Sequence, residues 1–263
     1  MIKNQIDVIT LGCSKNLVDS EKLMKMLEVN GYTMRHNPDE VKGEIVVINT
    51  CGFIGDAKEE SINMILEVCE QKARRRVRKV FVMGCLSERY MAELGEEIPQ
   101  VDGYYGKFDW TRLIDDLKGE GDGMPAASCQ LDRVLTTPNH YAYVKISEGC
   151  DRKCAYCAIP NIRGNLRSRS MEQILSEARA LVATGVKEIV LVAQDTTVYG
   201  RDLYGETRLP QLLTELCKID DLKWIRLLYC YPEHITDELL TVMAAEEKVL
   251  IKLVFGKRLE SIK

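Results

Sequence analysis

The stretch Tyr141-Ala-Tyr-Val-Lys-Ile-Ser-Glu-Gly-Cys150-Asp-Arg-Lys-Cys154-Ala-Tyr-Cys157 joins a predicted strand, Tyr141 to Ser147, to a loop with three cysteines. Cys150, Cys154 and Cys157 follow a C-x3-C-x2-C spacing. Three thiolates can each bind one iron of a four-iron cluster and leave the fourth iron without a protein ligand. The loop therefore predicts an iron–sulfur site at the end of this strand.

Two other interpretations of the loop are weaker. A zinc site with three cysteines needs a fourth ligand, and the nearby histidine, His140, lies on the other side of the predicted strand. A disulfide framework is not expected, because the N-terminus does not resemble a secretory signal. Ten cysteines in such a chain indicate reduced thiols that serve a metal.

The composition is that of a globular protein. The chain has 263 residues, of which 46% are hydrophobic and 29% charged, enough for one large domain or two ordinary ones. No apolar run approaches the ~18 residues that span a bilayer. The net charge of −4 gives no general attraction to nucleic acid. We therefore expect a cytoplasmic protein with neither a membrane nor a nucleic acid as partner.

Strands and helices alternate after the cysteine loop as well. The predicted elements are a helix from Met171 to Thr184, a strand from Glu188 to Ala193, a helix from Leu209 to Ile219, a strand from Lys223 to Tyr229 and a helix from Asp237 to Ala245. Together with the strand at Tyr141 they predict the first three units of a β/α barrel.

The first half of the chain shows the same alternation. Its predicted strands are Ile6 to Gly12, Ile45 to Thr50, Lys79 to Gly84 and a short one near Tyr104, and its predicted helices are Asp19 to Asn30, Lys58 to Arg75, Glu88 to Glu97 and Trp110 to Lys118. Alternation of this kind predicts a three-layer, Rossmann-like α/β domain over residues 1–118. Residues 119–138 contain five glycines and prolines with little periodicity, which predicts a linker to a domain at 139–263.

Three further cysteines each follow a predicted strand of the first domain. Cys13, Cys51 and Cys85 are far apart in sequence, but the carboxyl ends of parallel strands share one edge of a sheet, where ligands bind. Each also adjoins a glycine, which lets the backbone approach a bulky inorganic group. These residues predict a second three-cysteine cluster site. The alternative is that they pack as small buried hydrophobic side chains.

Two such sites in one chain resemble the methylthiotransferases of the radical S-adenosylmethionine superfamily. The segments that carry the resemblance are Leu11-Gly-Cys-Ser-Lys-Asn-Leu-Val-Asp-Ser-Glu21, Asn49-Thr-Cys-Gly-Phe-Ile54 with Ala57-Lys-Glu-Glu-Ser-Ile62, Gly84-Cys-Leu-Ser-Glu-Arg-Tyr90, Glu148-Gly-Cys150, Cys157-Ala-Ile-Pro160, Arg163-Gly164 and Gln194-Asp-Thr-Thr-Val-Tyr-Gly200. They are most similar to the branch that modifies an aspartate of small-subunit ribosomal protein twelve. The fold implied is the Rossmann-like domain followed by a partial radical S-adenosylmethionine β/α barrel.

The resemblance implies two 4Fe-4S clusters and S-adenosylmethionine as cofactors. Cys150, Cys154 and Cys157 would hold the radical-generating cluster, and Cys13, Cys51 and Cys85 the auxiliary cluster that carries the sulfur. Tyr156 would lie near the adenine of S-adenosylmethionine, and Gln194 and Asp195 would contact the cofactor. No general base is assigned, because a carbon-bound hydrogen is not acidic enough for one.

The activity implied is methylthiolation of the aspartate β-carbon in that ribosomal protein, with an electron donor such as flavodoxin as a second partner. Two alternatives stay open. Relatives with a Gly-Cys-Gln-Met-Asn-type opening act on isopentenylated adenosine in tRNA, and a fragment that binds iron–sulfur clusters or zinc could lack catalysis.

The end of the chain departs from the family pattern. The similarity fades after Ala245, and residues 250–263 do not resemble the family's continuation; about 125 residues follow the linker against ~250 in a complete barrel. The TRAM-like small β-barrel that engages the substrate in relatives is not recognised. We therefore expect a C-terminally truncated chain with weak or no activity.

Overall fold

The structure, a computed structural model, describes residues 2–118 and 133–251. The chain divides into two compact units, with the boundary between Thr136 and Thr137. Each unit has its own parallel β-sheet, which confirms the predicted α/β class. The predicted domain limits stay predictions, because residues 119–132 of the predicted linker lie outside the described residues. Among the described residues, no helix has the length and apolar character needed to span a bilayer.

The first unit alternates strands and helices in its described part. In chain order they are β1 (Ile2–Thr10), α1 (Ser14–Val29), β2 (Thr33–His36), β3 (Gly43–Thr50), α2 (Gly55–Ala73), β4 (Lys79–Gly84), α3 (Cys85–Glu97), β5 (Gly103–Tyr104) and α4 (Trp110–Lys118). The strands are parallel and lie in the order β2-β1-β3-β4-β5. The strand order reverses between β1 and β3, which is where open α/β sheets bind their ligands.

Both faces of this sheet are covered, as a three-layer domain requires. Side chains of one face, such as Ile6 and Val47, pack with residues of α1 and α4. Alternate side chains of the same strands, such as Val46 and Ile48, pack with residues of α2 and α3. Because the strands are covered on both sides, β3 is buried along its whole length.

The second unit contains a four-stranded parallel sheet. Its elements are β6 (Tyr141–Lys145), β7 (Ser147–Glu148), α5 (Ile159–Arg163), β8 (Arg167–Ser168), α6 (Met171–Ala183), β9 (Glu188–Val192), α7 (Arg201–Tyr204), α8 (Leu209–Cys217), β10 (Trp224–Leu227), a short 3-10 helix (Pro232–His234), α9 (Asp237–Ala245) and β11 (Val249–Ile251). The sheet runs β6-β9-β10-β11, in chain order. Sequential parallel strands joined by helices are the arrangement of β/α barrels.

One strand of the first unit was not predicted, and the predicted limits of several elements, β1, α1, α2 and α3 among them, differ from those observed. The strand β2 was not predicted, because it is short and its residues are exposed or half-buried, with Arg35 paired to Asp7 of β1. Helix α1 begins at Ser14 instead of Asp19, because Lys15 and Asn16 are polar yet buried. Neither change separates β1, β3 and β4, which stay neighbours in the sheet.

The strand predicted from Tyr141 to Ser147 is divided in the structure. Strand β6 ends at Lys145, although the Ile146 amide still donates to the Val192 carbonyl at 3.0 Å. Ser147 then pairs antiparallel with Ser168 of the returning chain. The cysteine loop therefore begins and ends at a small two-stranded ribbon of its own.

The described end of the predicted linker is tied to α1. Arg133 is buried and its guanidinium lies 3.2 Å from a carboxylate oxygen of Glu21. The Thr136 amide donates to the other Glu21 oxygen at 2.8 Å, and the Val134 amide donates to the Glu21 carbonyl at 3.0 Å. Residues 133–136 are therefore part of the packed first unit.

Candidate iron–sulfur sites

The first cysteine trio follows three neighbouring strands. Cys13 follows β1 and precedes α1, Cys51 directly follows β3, and Cys85 directly follows β4. Because these strands lie side by side and parallel, their carboxyl ends meet at one edge of the sheet. Cys51 and Cys85 are buried, and Cys13 is half-buried. The convergence predicted from the sequence is therefore seen in the order of the strands.

Glycines let the three cysteine segments touch each other. A Cβ on Gly12 would lie 2.9 Å from the sulfur of Cys51, so the segment that carries Cys13 contacts the Cys51 side chain. A Cβ on Gly52 would lie 2.8 Å from the backbone carbonyl of Cys85. Gly12 also has φ +91°, a conformation that other residues rarely adopt. In this structure the glycines allow the loops that carry the three cysteines to lie close to one another.

Polar side chains hold the cysteine segments in place. Ser61 of α2 accepts a hydrogen bond from the Cys51 amide at 3.0 Å, and its hydroxyl oxygen lies 3.1 Å from the Cys51 carbonyl. The Asn16 side-chain nitrogen donates to the carbonyls of Leu11 at 3.0 Å and Thr50 at 3.1 Å. Sequence analysis gave neither residue a role, although Asn16 and Ser61 both lie inside segments that carry the family resemblance.

The second trio lies on a loop whose two ends are bonded together. The Cys150 amide donates to the Gly164 carbonyl at 3.0 Å, and the Leu166 amide donates to a carboxylate oxygen of Asp151 at 2.8 Å. A Cβ on Gly149 would lie 2.0 Å from the Asn165 carbonyl oxygen. Only glycine fits between the two ends of the loop at this distance.

The three thiols of this loop are half-buried. Burial raises the pKa of the Cys150 thiol, while a hydrogen bond from the Arg152 backbone lowers it. The charges of Asp195, Cys157 and Cys154 also raise this pKa. The three cysteines thus lie on one short loop, and their grouping around a cluster stays a prediction.

A buried ionic triad lies at the base of the loop. Glu148, directly before Gly149, is 2.7 Å from the Lys145 ammonium and 2.7 Å from the Arg163 guanidinium at the end of α5. All three residues are less than a tenth exposed. Burial opposes ionisation of Glu148, but the two cations together lower its pKa to about 2. The triad therefore stays charged and joins both ends of the cysteine loop.

The predicted cofactor-binding residues have different surroundings. Tyr156 is 69% exposed, between Cys154 and Cys157, and Gln194 is half-buried after β9. Asp195 is buried, and one of its carboxylate oxygens accepts a hydrogen bond from the Thr197 amide at 3.0 Å.

The other oxygen of Asp195 faces two basic side chains. It lies 3.1 Å from His234 Nδ1 and 3.8 Å from the Arg152 guanidinium. Arg152 stacks on the Tyr231 ring at 4.1 Å and forms an ion pair with Glu233. Asp195 thus connects the cysteine loop to the segments that follow β9 and β10, a role that the sequence pattern did not indicate.

The chemistry of both trios fits an iron–sulfur cluster. Each donor set consists of thiols alone, the soft ligands that such clusters use, and each iron of a cluster takes a single cysteine. Within residues 2–118 and 133–251, no three Cys, His, Asp or Glu side chains are grouped closely enough to hold one metal ion. His140, considered for a zinc site, lies before β6, with its ring 5.1 Å from that of Tyr141.

Three of the remaining cysteines have other surroundings. Cys69 packs in the core beneath α2, as its helical spacing predicts. Cys217 ends α8, and burial together with Glu246 raises its pKa to about 11. The sulfur of Cys230 lies 3.3 Å from the Thr196 hydroxyl. Cys129 lies outside the described residues.

Two family descriptions match separate parts of the chain. Residues 5–106 match the family described as uncharacterized protein family UPF0004. Residues 144–253 match the radical SAM superfamily. Each match covers the cysteine trio of its own unit.

Curated relatives match almost the whole chain. The chain is 57% identical over 249 residues to "Ribosomal protein uS12 methylthiotransferase RimO" of Phocaeicola vulgatus and 57% identical over 249 residues to the protein of that name from Parabacteroides distasonis. The protein of that name from Heliobacterium modesticaldum is 48% identical over 254 residues. These matches cover 93 to 95% of this chain but 55 to 57% of each relative. The chain thus spans little more than half the length of these relatives.

A solved structure has a similar fold. The radical S-adenosylmethionine methyltransferase TsrM of Kitasatospora setae, solved with tryptophan substrate and a SAM analog bound, superposes with a TM-score of 0.62 at 16% identity. The match covers 95% of this chain and 59% of that one. At this identity the likeness concerns the fold alone.

Proposed function

Since the chain belongs to the methylthiotransferase family of the radical S-adenosylmethionine superfamily, on the RimO branch, we propose that it takes part in methylthiolation of an aspartate β-carbon in ribosomal protein uS12. The observation that carries the proposal is the pairing of two thiol-only trios with relatives of that name at 57% identity. The tRNA alternative is not favoured, because the relatives reported above are named for the ribosomal protein.

In this proposal Cys150, Cys154 and Cys157 hold one 4Fe-4S cluster, and Cys13, Cys51 and Cys85 hold a second. When bound, the clusters and S-adenosylmethionine supply one-electron cleavage of the cofactor and the sulfur to be transferred. The protein's own part is to hold the thiols, to exclude water and to orient the substrate.

The residues around the second trio would share the work of cofactor binding. Tyr156 is exposed between two of the ligands and can cover a flat adenine ring. Gln194 follows β9 at the same edge and has an amide able to bond a polar group of the cofactor. Asp195 already accepts hydrogen bonds from its neighbours, so we assign it to holding Arg152 and the cysteine loop.

The proposed partners follow from the proposed reaction. Ribosomal protein uS12 is the substrate, and reductive cleavage requires a one-electron donor such as flavodoxin. A ribosomal protein as substrate places the reaction in the cytoplasm. The net charge of −4 offers no general attraction to RNA, which favours a protein as the group recognised.

The test begins with the chain reconstituted anaerobically with iron and sulfide. We expect about eight irons per chain, about four in each triple-alanine variant of one trio, and 5′-deoxyadenosine when a reductant and S-adenosylmethionine are added. Ribosomal protein uS12 is then added, and mass spectrometry locates the methylthio group on a tryptic peptide. Isopentenylated tRNA is the parallel substrate, and methylthiolation of the tRNA alone would contradict the proposal.

The same assay measures the weak activity expected from the sequence. The ratio of methylthiolated peptide to 5′-deoxyadenosine separates a chain that cleaves the cofactor without product from one that completes the reaction. Two clusters with no cofactor cleavage would favour the iron–sulfur-binding fragment instead.

A further inference from the structure

Asn16 contacts a segment of each cysteine in the first trio. It lies in the first turn of α1, three residues after Cys13, and is only 1% exposed. Its side-chain nitrogen bonds the carbonyls of Leu11, before Gly12 and Cys13, and of Thr50, before Cys51. Its side-chain oxygen lies 3.6 Å from the sulfur of Cys85. One amide therefore joins the ends of β1, β3 and β4.

The backbone of Asn16 is itself held in a fixed place. The side-chain nitrogen of Asn49, at the end of β3, donates to the Asn16 carbonyl at 3.0 Å and to the Ser20 hydroxyl at 2.9 Å. The Asn49 side-chain oxygen packs against Gly84, where a Cβ would lie 2.4 Å away. Two buried asparagines thus fix the edge at which the cysteines converge.

We propose that Asn16 is the positioning residue of the first trio, whose amide sets the distance between the Cys13 and Cys51 thiols by bonding the backbone before each. The proposal rests on the proposed function, in which this trio holds a cluster. Asn16 acts through two backbone carbonyls and does not touch the iron. The contact with Cys85 needs a thiol hydrogen, which an iron-bound sulfur lacks, so the two carbonyl bonds carry the proposal.

The chemistry explains why asparagine stands here. The site requires two N–H donors on a short side chain, which serine cannot supply and aspartate replaces by acceptors. Alanine removes both hydrogen bonds and leaves the two carbonyls, at the buried edge of the sheet, without the donor that Asn16 gives them. The same helix offers a matched control, since Asn30 at its other end donates from its side-chain nitrogen to the Met26 carbonyl at 2.6 Å.

The experiment uses the whole chain with Cys150, Cys154 and Cys157 replaced by alanine, so that bound iron reports the first trio. The N16A and N30A substitutions are made in this parent. The parent and both variants are then loaded with iron and sulfide in the absence of oxygen. Iron release to a ferrous chelator and the electron paramagnetic resonance spectrum of the reduced cluster are then measured. We expect N16A to release iron about tenfold faster or more, with a shifted spectrum, and N30A to match the parent.

Thermal unfolding followed by circular dichroism separates positioning from folding. The proposal is supported if N16A has the melting temperature of N30A but releases iron faster. It is overturned if N16A releases iron at the same rate as N30A. If N16A unfolds at a much lower temperature than N30A, N16S, which keeps one donor, is tested instead. The melting temperature and the rate of iron release of N16S are then compared with those of N30A. Low melting temperatures of both N16A and N16S overturn a positioning role. A parent that takes up no iron contradicts the proposed function itself, a result distinct from any difference between variants.

Discussion

Replacement of Glu148 by glutamine tests the buried triad that closes the cysteine loop. The substitution keeps the shape of the side chain but removes its charge, so Lys145 and Arg163 stay buried as two cations without their shared carboxylate. Loss of one partner from a buried ion pair is strongly destabilising, because the remaining charge keeps its desolvation cost. We therefore expect Glu148→Gln to destabilise the second unit.

The pKa of Glu148 sets the magnitude. It falls from an ordinary value of 4.5 to about 2 in the folded protein, a gap that corresponds to about 3 kcal/mol of stability. Because the folded pKa is the lower one, this stabilisation is present above pH 4.5 and is lost as the pH falls toward 2. The difference in unfolding free energy between wild type and variant should therefore be about 3 kcal/mol at pH 7 and less than half of that near pH 3.

Urea unfolding of the second unit is the assay. The chain has two tryptophans, and a Trp110→Phe background leaves Trp224, in β10, to report this unit by fluorescence. Glu215→Gln is the matched control, since Glu215, like Glu148, pairs with a lysine three residues away, Lys218 at 2.6 Å, but both side chains are exposed. The control should change stability by no more than about 0.5 kcal/mol.

Two results would refute the reasoning about Glu148. One is a variant within about 1 kcal/mol of wild type at pH 7, which would show that the buried charges cost little when unpaired. The other is a difference of about 3 kcal/mol that persists unchanged at pH 3, because Glu148 of the unfolded chain binds a proton below pH 4.5, which should by then have removed more than half of it.

Three further substitutions or measurements test the sites. Ser61→Ala removes the hydroxyl that accepts from the Cys51 amide and should cost about 1–3 kcal/mol, measured by urea unfolding with Trp224 replaced by phenylalanine. Gly149→Ala places a Cβ 2.0 Å from a carbonyl oxygen at φ +71°, so iron bound by the second trio should be lost in a chain without first-trio cysteines. Cys217, with its pKa of about 11, should react with iodoacetamide about tenfold faster per pH unit between pH 8 and 10.

The apolar pattern of the sequence was sufficient to predict most of the fold. The strands before Cys51 and Cys85 were located within two residues, because runs such as Ile45 to Thr50 are buried on both faces and contain few polar residues. The convergence of the first trio needed only parallel neighbours, and the unpredicted β2 lies on the far side of β1 from β3. Backbone connectivity therefore determined where the cysteines lie.

The residues that hold the cysteines were not predictable in the same way. Periodicity treats every polar residue as a surface residue, whereas Lys15, Asn16, Asp19, Ser20 and Glu21 are all buried on α1. A polar side chain inside the protein is revealed only by the group it bonds, and that group is distant in sequence. Asn16 and Thr50, for example, are 34 residues apart.

Both trios depend on polar side chains for the same physical reason. The cysteines lie past the ends of strands, where the hydrogen bonds of the sheet stop and backbone groups need other partners. Ser61 and Asn16 supply these partners in the first unit, and Asp151 supplies one to the Leu166 amide in the second. Apolar side chains could fill the same volume but could not bond a carbonyl or an amide. A chain with all six cysteines but without these side chains should therefore keep its sheets and lose its ability to retain iron.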